Sequence, residues 1–216
     1  MDLENARLQM IGQQLRAWEV LNERILEVMS SLPRELFVPE EWRGLAYADA
    51  AIPIGPGRKL APPKIQGRAL QALDPKPEDR VLEIGAGSGY LTACLAKLGG
   101  RVTSVEVRPA LAEIAGRNLA QLGIDNVELL VGDALEMEFP ARFEVVCVND
   151  SLPEWTSHFE ELLEVGGRLF AVTGRPPIME ARKLTRLSET QWKRETVFET
   201  CLPALENAPR PAEFVF

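Results

Sequence analysis

The chain contains a single histidine, His158, among 216 residues. That scarcity argues against a multi-histidine metal site or a histidine-based catalytic triad, and His158 reads as a partly exposed helix residue. Cysteine is also scarce. Cys94, Cys147 and Cys201 are widely separated, with neither metal-ligand spacing nor an even disulfide set, so all three are expected as buried free thiols. No apolar run reaches the roughly 18 residues needed to cross a bilayer. The first residues, Met1-Asp2-Leu3-Glu4-Asn5, lack the basic and apolar regions of a signal peptide, so a cytoplasmic location is the expectation. Positive charge is in deficit, with 24 Lys and Arg against 32 Asp and Glu and a net charge of −8, which argues against a nucleic-acid partner. The four tryptophans, Trp18, Trp42, Trp155 and Trp192, are too scattered to form a stacking platform and read as core or lid packing.

What is present suits one α/β unit of ordinary size, 46% hydrophobic and free of repeats. Residues 3–31 carry helical periodicity, and Pro33 and Pro39 end that region. Residues 33–62 are rich in Pro and Gly and read as a long structured loop, a length that usually serves a site. A helix is expected from about Pro63 to Leu73, started by proline in its first turn. From Arg80 strands and helices alternate: strands near 80–84, 101–106, 126–131, 143–149 and 167–173, helices near 89–98, 109–122 and 154–164. That order predicts a doubly wound, Rossmann-like sheet with ligands at the carboxyl ends of its strands. Gly123 and Gly166-Gly167 fall where helices should end. Segments near 178–188 and 191–200 read as an antiparallel pair closing the sheet edge, and the tail from Pro203 to Phe216 as a docked extended segment or a partly loose one. The expected organisation is residues 1–79 as N-terminal helices with a substrate-side loop and residues 80–216 as the binding domain, in one compact unit.

The most informative stretch is Val81-Leu82-Glu83-Ile84-Gly85-Ala86-Gly87-Ser88-Gly89-Tyr90, an apolar strand leading through an acid into a three-glycine turn. Its spacing is neither the G-x-G-x-x-G of dinucleotide folds nor a P-loop. A carboxylate at Glu83, on the lip of such a loop, would repel a pyrophosphate but suits a cationic amino-acid group. S-adenosyl-L-methionine (AdoMet) carries an ammonium and a sulfonium and no phosphate. Glu106 ends the second strand, placed to accept hydrogen bonds from ribose hydroxyls, and Asp133 follows the third, placed to accept one from an adenine amino group. Three acids at three successive strand ends point to AdoMet as cofactor, with S-adenosyl-L-homocysteine (AdoHcy) as product.

These residues resemble the protein-L-isoaspartate O-methyltransferases over most of the chain. Leu32-Pro33-Arg34-Glu35-Leu36-Phe37-Val38-Pro39 is close to that family's P-R-E-x-F-V-P signature, and Ala46-Tyr47-Ala48-Asp49, Ile52-Pro53-Ile54-Gly55 and the glycine loop follow in family order. The resemblance implies a class I AdoMet-dependent methyltransferase with an N-terminal helical addition, acting on isoaspartyl carboxylates of damaged peptides or proteins. It implies cofactor binding by Glu83, Gly85, Ala86, Gly87, Ser88, Gly89, Glu106, Val107, Asp133, Ala134 and Asn149. The acceptor side departs from the family pattern. Lys59 stands at a family threonine, Ala61 at a family serine, and Asn149-Asp150-Ser151 where small residues are usual.

Lys59, Ala61, Asn149 and Asp150 are therefore the candidate catalytic positions. Lys59 reads either as a partner for the acceptor carboxylate or as a solvent-facing loop lysine. Asn149 and Asp150 could bind an amine or amide acceptor, and Asp150 could instead cap a helix starting near Pro153. Arg58 or Lys59 would be needed to neutralise Asp150 before an anionic acceptor. Two rival functions remain open at this level: a methyltransferase for a small molecule, a particular protein or RNA, and an AdoMet-binding protein without turnover.

Overall fold

The computed structural model describes residues 2–209. Helix α1 (Leu3–Gln9) is capped by Asp2, whose side chain accepts from the Asn5 amide, and α2 (Glu23–Ser31) by Asn22, which accepts from Arg24. The single periodic stretch expected over 3–31 is broken between them. Met10–Leu15 forms a π-helical turn, Arg16–Trp18 a 3₁₀ turn, and Glu19 adopts a left-handed φ of 59°. Spacing explains the change. Met10, Leu15 and Val20 recur every five residues and are all fully buried, and the Val20 amide donates to the Leu15 carbonyl. A five-residue repeat brings side chains to one face in a π-turn, not in an α-helix.

The region 33–62 is more ordered than a loop. Two 3₁₀ turns, Arg34–Phe37 and Glu40–Leu45, precede an antiparallel hairpin of β1 (Ile52–Gly55) and β2 (Arg58–Leu60). Its strands are too short, and too interrupted by Pro53 and Pro56, for alternation to show in sequence. Helix α3 (Pro63–Leu73) follows with proline in its first turn, as expected.

The sheet runs through β3 (Arg80–Ile84), β4 (Arg101–Glu106), β5 (Val127–Val131), β6 (Phe143–Leu152), β7 (Leu163–Arg175), β8 (Ile178–Arg186) and β9 (Trp192–Thr200). Their order is β5-β4-β3-β6-β7-β8-β9, parallel from β5 to β7 and antiparallel beyond. Helices α4 (Tyr90–Leu98) and α5 (Pro109–Gln121) fill the first crossovers, and Gly123 turns out of α5 at φ 61°. The helix expected over 154–164 shrinks to α6 (His158–Glu161). Gly166 and Gly167 do not end it; they lie inside β7, where a Cβ on Gly167 would stand 2.9 Å from the Glu164 carbonyl.

Period-two alternation sorts the core onto the two sheet faces. Val81, Val145 and Cys147 join a cluster with α2, α3 and α4, while Leu82, Val146 and Val148 pack on the other face with Phe159 and Leu184. Cys94 and Cys147 are buried, but Cys201, just past β9, is exposed. Trp18 packs edge-on against Phe198. Beyond β9 the chain docks on the end of β6: the Ser151 amide donates to the Pro203 carbonyl and the Leu205 amide to the Ser151 carbonyl, both at 2.8 Å. Residues 210–216, including Glu213-Phe214-Val215-Phe216, lie outside the described residues. No helix among the described residues is long and apolar enough to cross a membrane.

Candidate active site

The crevice opens at the carboxyl ends of β3, β4 and β6, where this topology places ligands. Gly85, Gly87 and Gly89 all have positive φ. Space as well as conformation demands glycine at Gly89, where a Cβ would meet the Ala115 backbone at 3.2 Å. This close approach seats the glycine loop against α5. The carboxylate of Glu106 braces the loop from the side, accepting the Gly87 amide at 2.8 Å and the Arg108 amide at 3.0 Å.

Glu83 does not sit on the rim. It is fully buried beneath the loop, accepting from Thr92 Oγ1 at 2.5 Å, Ser104 Oγ at 2.6 Å and Asn149 Nδ2 at 2.8 Å. Burial pushes its carboxyl upward, against the lowering effect of those donors. The apolar run around it carried this signal: Val81, Leu82 and Ile84 are buried on both faces of the strand, so a residue among them is covered whichever face it takes. Asn149 is committed in the same network: its second amide bond runs to the Gly85 carbonyl at 2.7 Å. It thereby fastens β6 to the glycine loop.

At the far end of the crevice, Val107 and Ala134 line the wall beside Asp133. Asp133 accepts from the Leu135 amide and, through its other oxygen, from Asn207 Nδ2 at 2.7 Å. Glu206 pairs with Arg108 at 2.8 Å, and Arg108 also donates to the Pro56 carbonyl at the hairpin turn. The docked tail and the hairpin therefore meet on one arginine.

The acceptor candidates assemble at a wall between two cavities. Lys59, Ala61, Asn149 and Asp150 all line the glycine-loop crevice and also a neighbouring groove bordered by Trp18, Lys64 and Thr200. Asp150 caps no helix, because β6 continues through Leu152 and α6 starts only at His158. Its carboxylate instead pairs with Arg58 at 2.9 Å. Burial pushes the Asp150 carboxyl up to about 6, outweighing the Arg58 guanidinium, while Glu106 adds to the rise. Lys59 is exposed, and no ion pair or hydrogen bond holds it among the described residues.

Arg34, part of the Pro33-Arg34-Glu35 segment, also serves the wall. It is fully buried, donates to the Ala46 carbonyl at 2.8 Å, to Gln66 Oε1 at 2.5 Å and to the Ala61 carbonyl at 2.6 Å, and lies 4.5 Å above the centre of the Tyr90 ring. It thus links the acceptor wall, α3 and the start of α4 from behind. Apart from its place in the P-R-E-x-F-V-P segment, nothing in the local sequence distinguishes this arginine from a surface one.

The residues present suit AdoMet. The Ser88 hydroxyl is buried in the crevice lining with no protein partner among the described residues. A Cβ on Gly87 would stand 3.1 Å from Ile54, so glycine there opens the cradle. The strand-end groups are acids, and the loop carries no phosphate-binding lysine. Fold and site together define a class I AdoMet-dependent methyltransferase.

Known proteins make the assignment narrower. Residues 6–201 match the family model described as protein-L-isoaspartate(D-aspartate) O-methyltransferase. A protein-L-isoaspartate O-methyltransferase of Aeropyrum pernix is 43% identical over 178 residues, covering 80% of this chain and 68% of that protein. One from Syntrophus aciditrophicus is 43% identical over 189 residues, 86% of each chain. A Plasmodium falciparum protein assigned to the same activity and solved with AdoHcy superimposes with a TM-score of 0.77 at 20% identity, over 92% of this chain and 97% of that one; at that identity the likeness speaks for the fold. The chain belongs to the protein-L-isoaspartate O-methyltransferase family.

Proposed function

We propose that this protein transfers a methyl group from AdoMet to the free carboxylate of isoaspartyl residues in proteins or peptides, as a cytoplasmic step in repair of damaged chains. The observation that carries the reading is the wall shared by the glycine-loop crevice and the adjoining groove, where all four acceptor candidates stand between the two spaces. Such a wall lets a peptide in the groove present one side group to the crevice.

Bound AdoMet supplies an electrophilic methyl group on a sulfonium. Glu106 would take the ribose hydroxyls, Asp133 the adenine amino group, and the glycine loop with Ser88 the amino-acid end. Glu83 contributes from beneath, by holding Asn149 and so the loop. An acceptor carboxyl has an ordinary pKa near 4 and is already ionised at neutral pH, so no proton need be removed by the protein. What these residues contribute is alignment and the exclusion of water. With no serine at Ala61, one orienting hydrogen bond is missing, a loss of ~1–3 kcal/mol in a buried site. The free ammonium of Lys59 offers a charge-assisted contact in its place. The single net positive charge of the trio Arg58, Lys59 and Asp150 favours an anionic acceptor over a cationic one.

The test is transfer of tritiated methyl to an isoaspartyl peptide and to its aspartyl counterpart. Base-labile ester on the first alone is the expected result. AdoMet binding without ester on either would reject the acceptor and leave another acceptor, or a protein without turnover.

A further inference from the structure

Asp150 enters the reading above only through its charge beside the acceptor, yet its carboxylate also lines the cofactor crevice. Its Oδ2 lies 3.8 Å from where a Cβ on Gly85 would sit, so the carboxylate faces the glycine loop itself. It is held there by Arg58 from β2, with both side chains largely buried. The other charges around it are Lys59 on β2, Glu106 on β4 and Arg108 ahead of α5, with Glu83 lying beneath Asn149. A carboxylate in this setting is short of solvation and gains from any additional cation that enters the crevice.

AdoMet and AdoHcy share an ammonium, a carboxylate and an adenosine. They differ by one methyl and by the positive charge on sulfur. We propose that Asp150 is a specificity-determining residue for the cofactor, a counter-ion that favours the sulfonium substrate over the neutral thioether product. The proposal rests on the AdoMet reading of the crevice. After methyl transfer the cation beside Asp150 disappears, the carboxylate falls back on Arg58 alone, and the product is held less tightly than the substrate was. Where the resembling family usually has small residues, this chain thus carries a charge that discriminates the two ends of the reaction. The raised proton affinity of Asp150 gives a second consequence: a cation arriving beside it favours the ionised form, so AdoMet binding near pH 6 expels a proton.

Calorimetry of the full chain with AdoMet and with AdoHcy, wild type against Asp150→Asn, tests this. Asparagine keeps the shape and removes the charge. At pH 7.5 the ratio of AdoMet to AdoHcy affinity should fall about tenfold in the variant, as expected for loss of one partly buried charge contact that the sulfonium alone makes. At pH 6, titrations in buffers of different ionisation enthalpy should show more proton release for AdoMet than for AdoHcy with wild type, and no difference between the two ligands with the variant. An unchanged ratio would overturn the proposal and leave the cofactor reading standing. Equal weakening of both ligands would also overturn it, marking Asp150 as a structural support of the loop. Wild-type protein that binds neither ligand would instead remove the cofactor reading on which it rests.

Discussion

The cofactor crevice and the acceptor wall are wired differently. In the crevice, Glu83 is satisfied by Thr92, Ser104 and Asn149, each fixed by the sheet or by the helix that leaves it. Glu106 holds two amides of adjoining loops. On the wall, Ala61 is anchored by Arg34 from an early 3₁₀ turn, and Asp150 at the end of β6 is matched by Arg58 from the hairpin. The crevice is thus assembled by the strands that present it. Asn149 apart, the wall depends on partners brought in from elsewhere in the chain, so its side chains can change while the networks of Glu83 and Glu106 stay intact.

If that contrast holds, the largest loss follows from removing the wall's remote anchor. Arg34→Met leaves the carbonyls of Ala46 and Ala61 and the Gln66 oxygen without their donor and should lower unfolding stability by about 3–5 kcal/mol, read by chemical denaturation. An effect below about 1 kcal/mol would show that the wall stands without it. Next comes the crevice. Glu106→Gln should weaken AdoHcy roughly fiftyfold, or about 2.3 kcal/mol, with the fold intact by circular dichroism.

The Asp150–Arg58 pair gives a pH signature. The folded-state carboxyl sits near 6, above its usual value of 3.8, so the protonated form is the one folding favours. Its contribution to stability is complete below about pH 4, is lost as pH rises toward 6, and is flat above. The stability of wild type relative to Asp150→Asn should therefore fall by roughly 2–3 kcal/mol between pH 4 and 6.5, and a flat difference would mean that Asp150 is not desolvated. The smallest effect is on the wall's outer edge. Lys59→Ala should raise KM for an isoaspartyl peptide about tenfold while leaving AdoHcy affinity alone; a change in AdoHcy affinity instead would make Lys59 a cofactor contact.

The parallel strands were legible because each is an apolar run ending on an acid or a glycine turn, as Val81 to Gly85 and Val102 to Glu106 show. Helix α3 was legible from its opening prolines. The π-turn was not, because a five-residue spacing looks helical when one seeks the usual three and four. The burial of Glu83 was encoded in the unbroken apolar run around it but masked by its nearness to the glycines. Arg34 with Ala61 had no local signal: it is a contact across the fold whose members carry no mark of their partner. For Asp150 the charge alone called for Arg58 or Lys59, and the structure selects Arg58. The interchange of side chains on the wall was visible as departures from a pattern. What those departures touch required coordinates.

Arg34 grips Ala61 by its main-chain oxygen, a group every amino acid possesses. The barrier between the two chambers is consequently moored in a way indifferent to which residue stands there. Serine, alanine or something bulkier could occupy position 61 with the mooring untouched, which makes this segment a natural place to retune what the enzyme accepts without rebuilding how it folds.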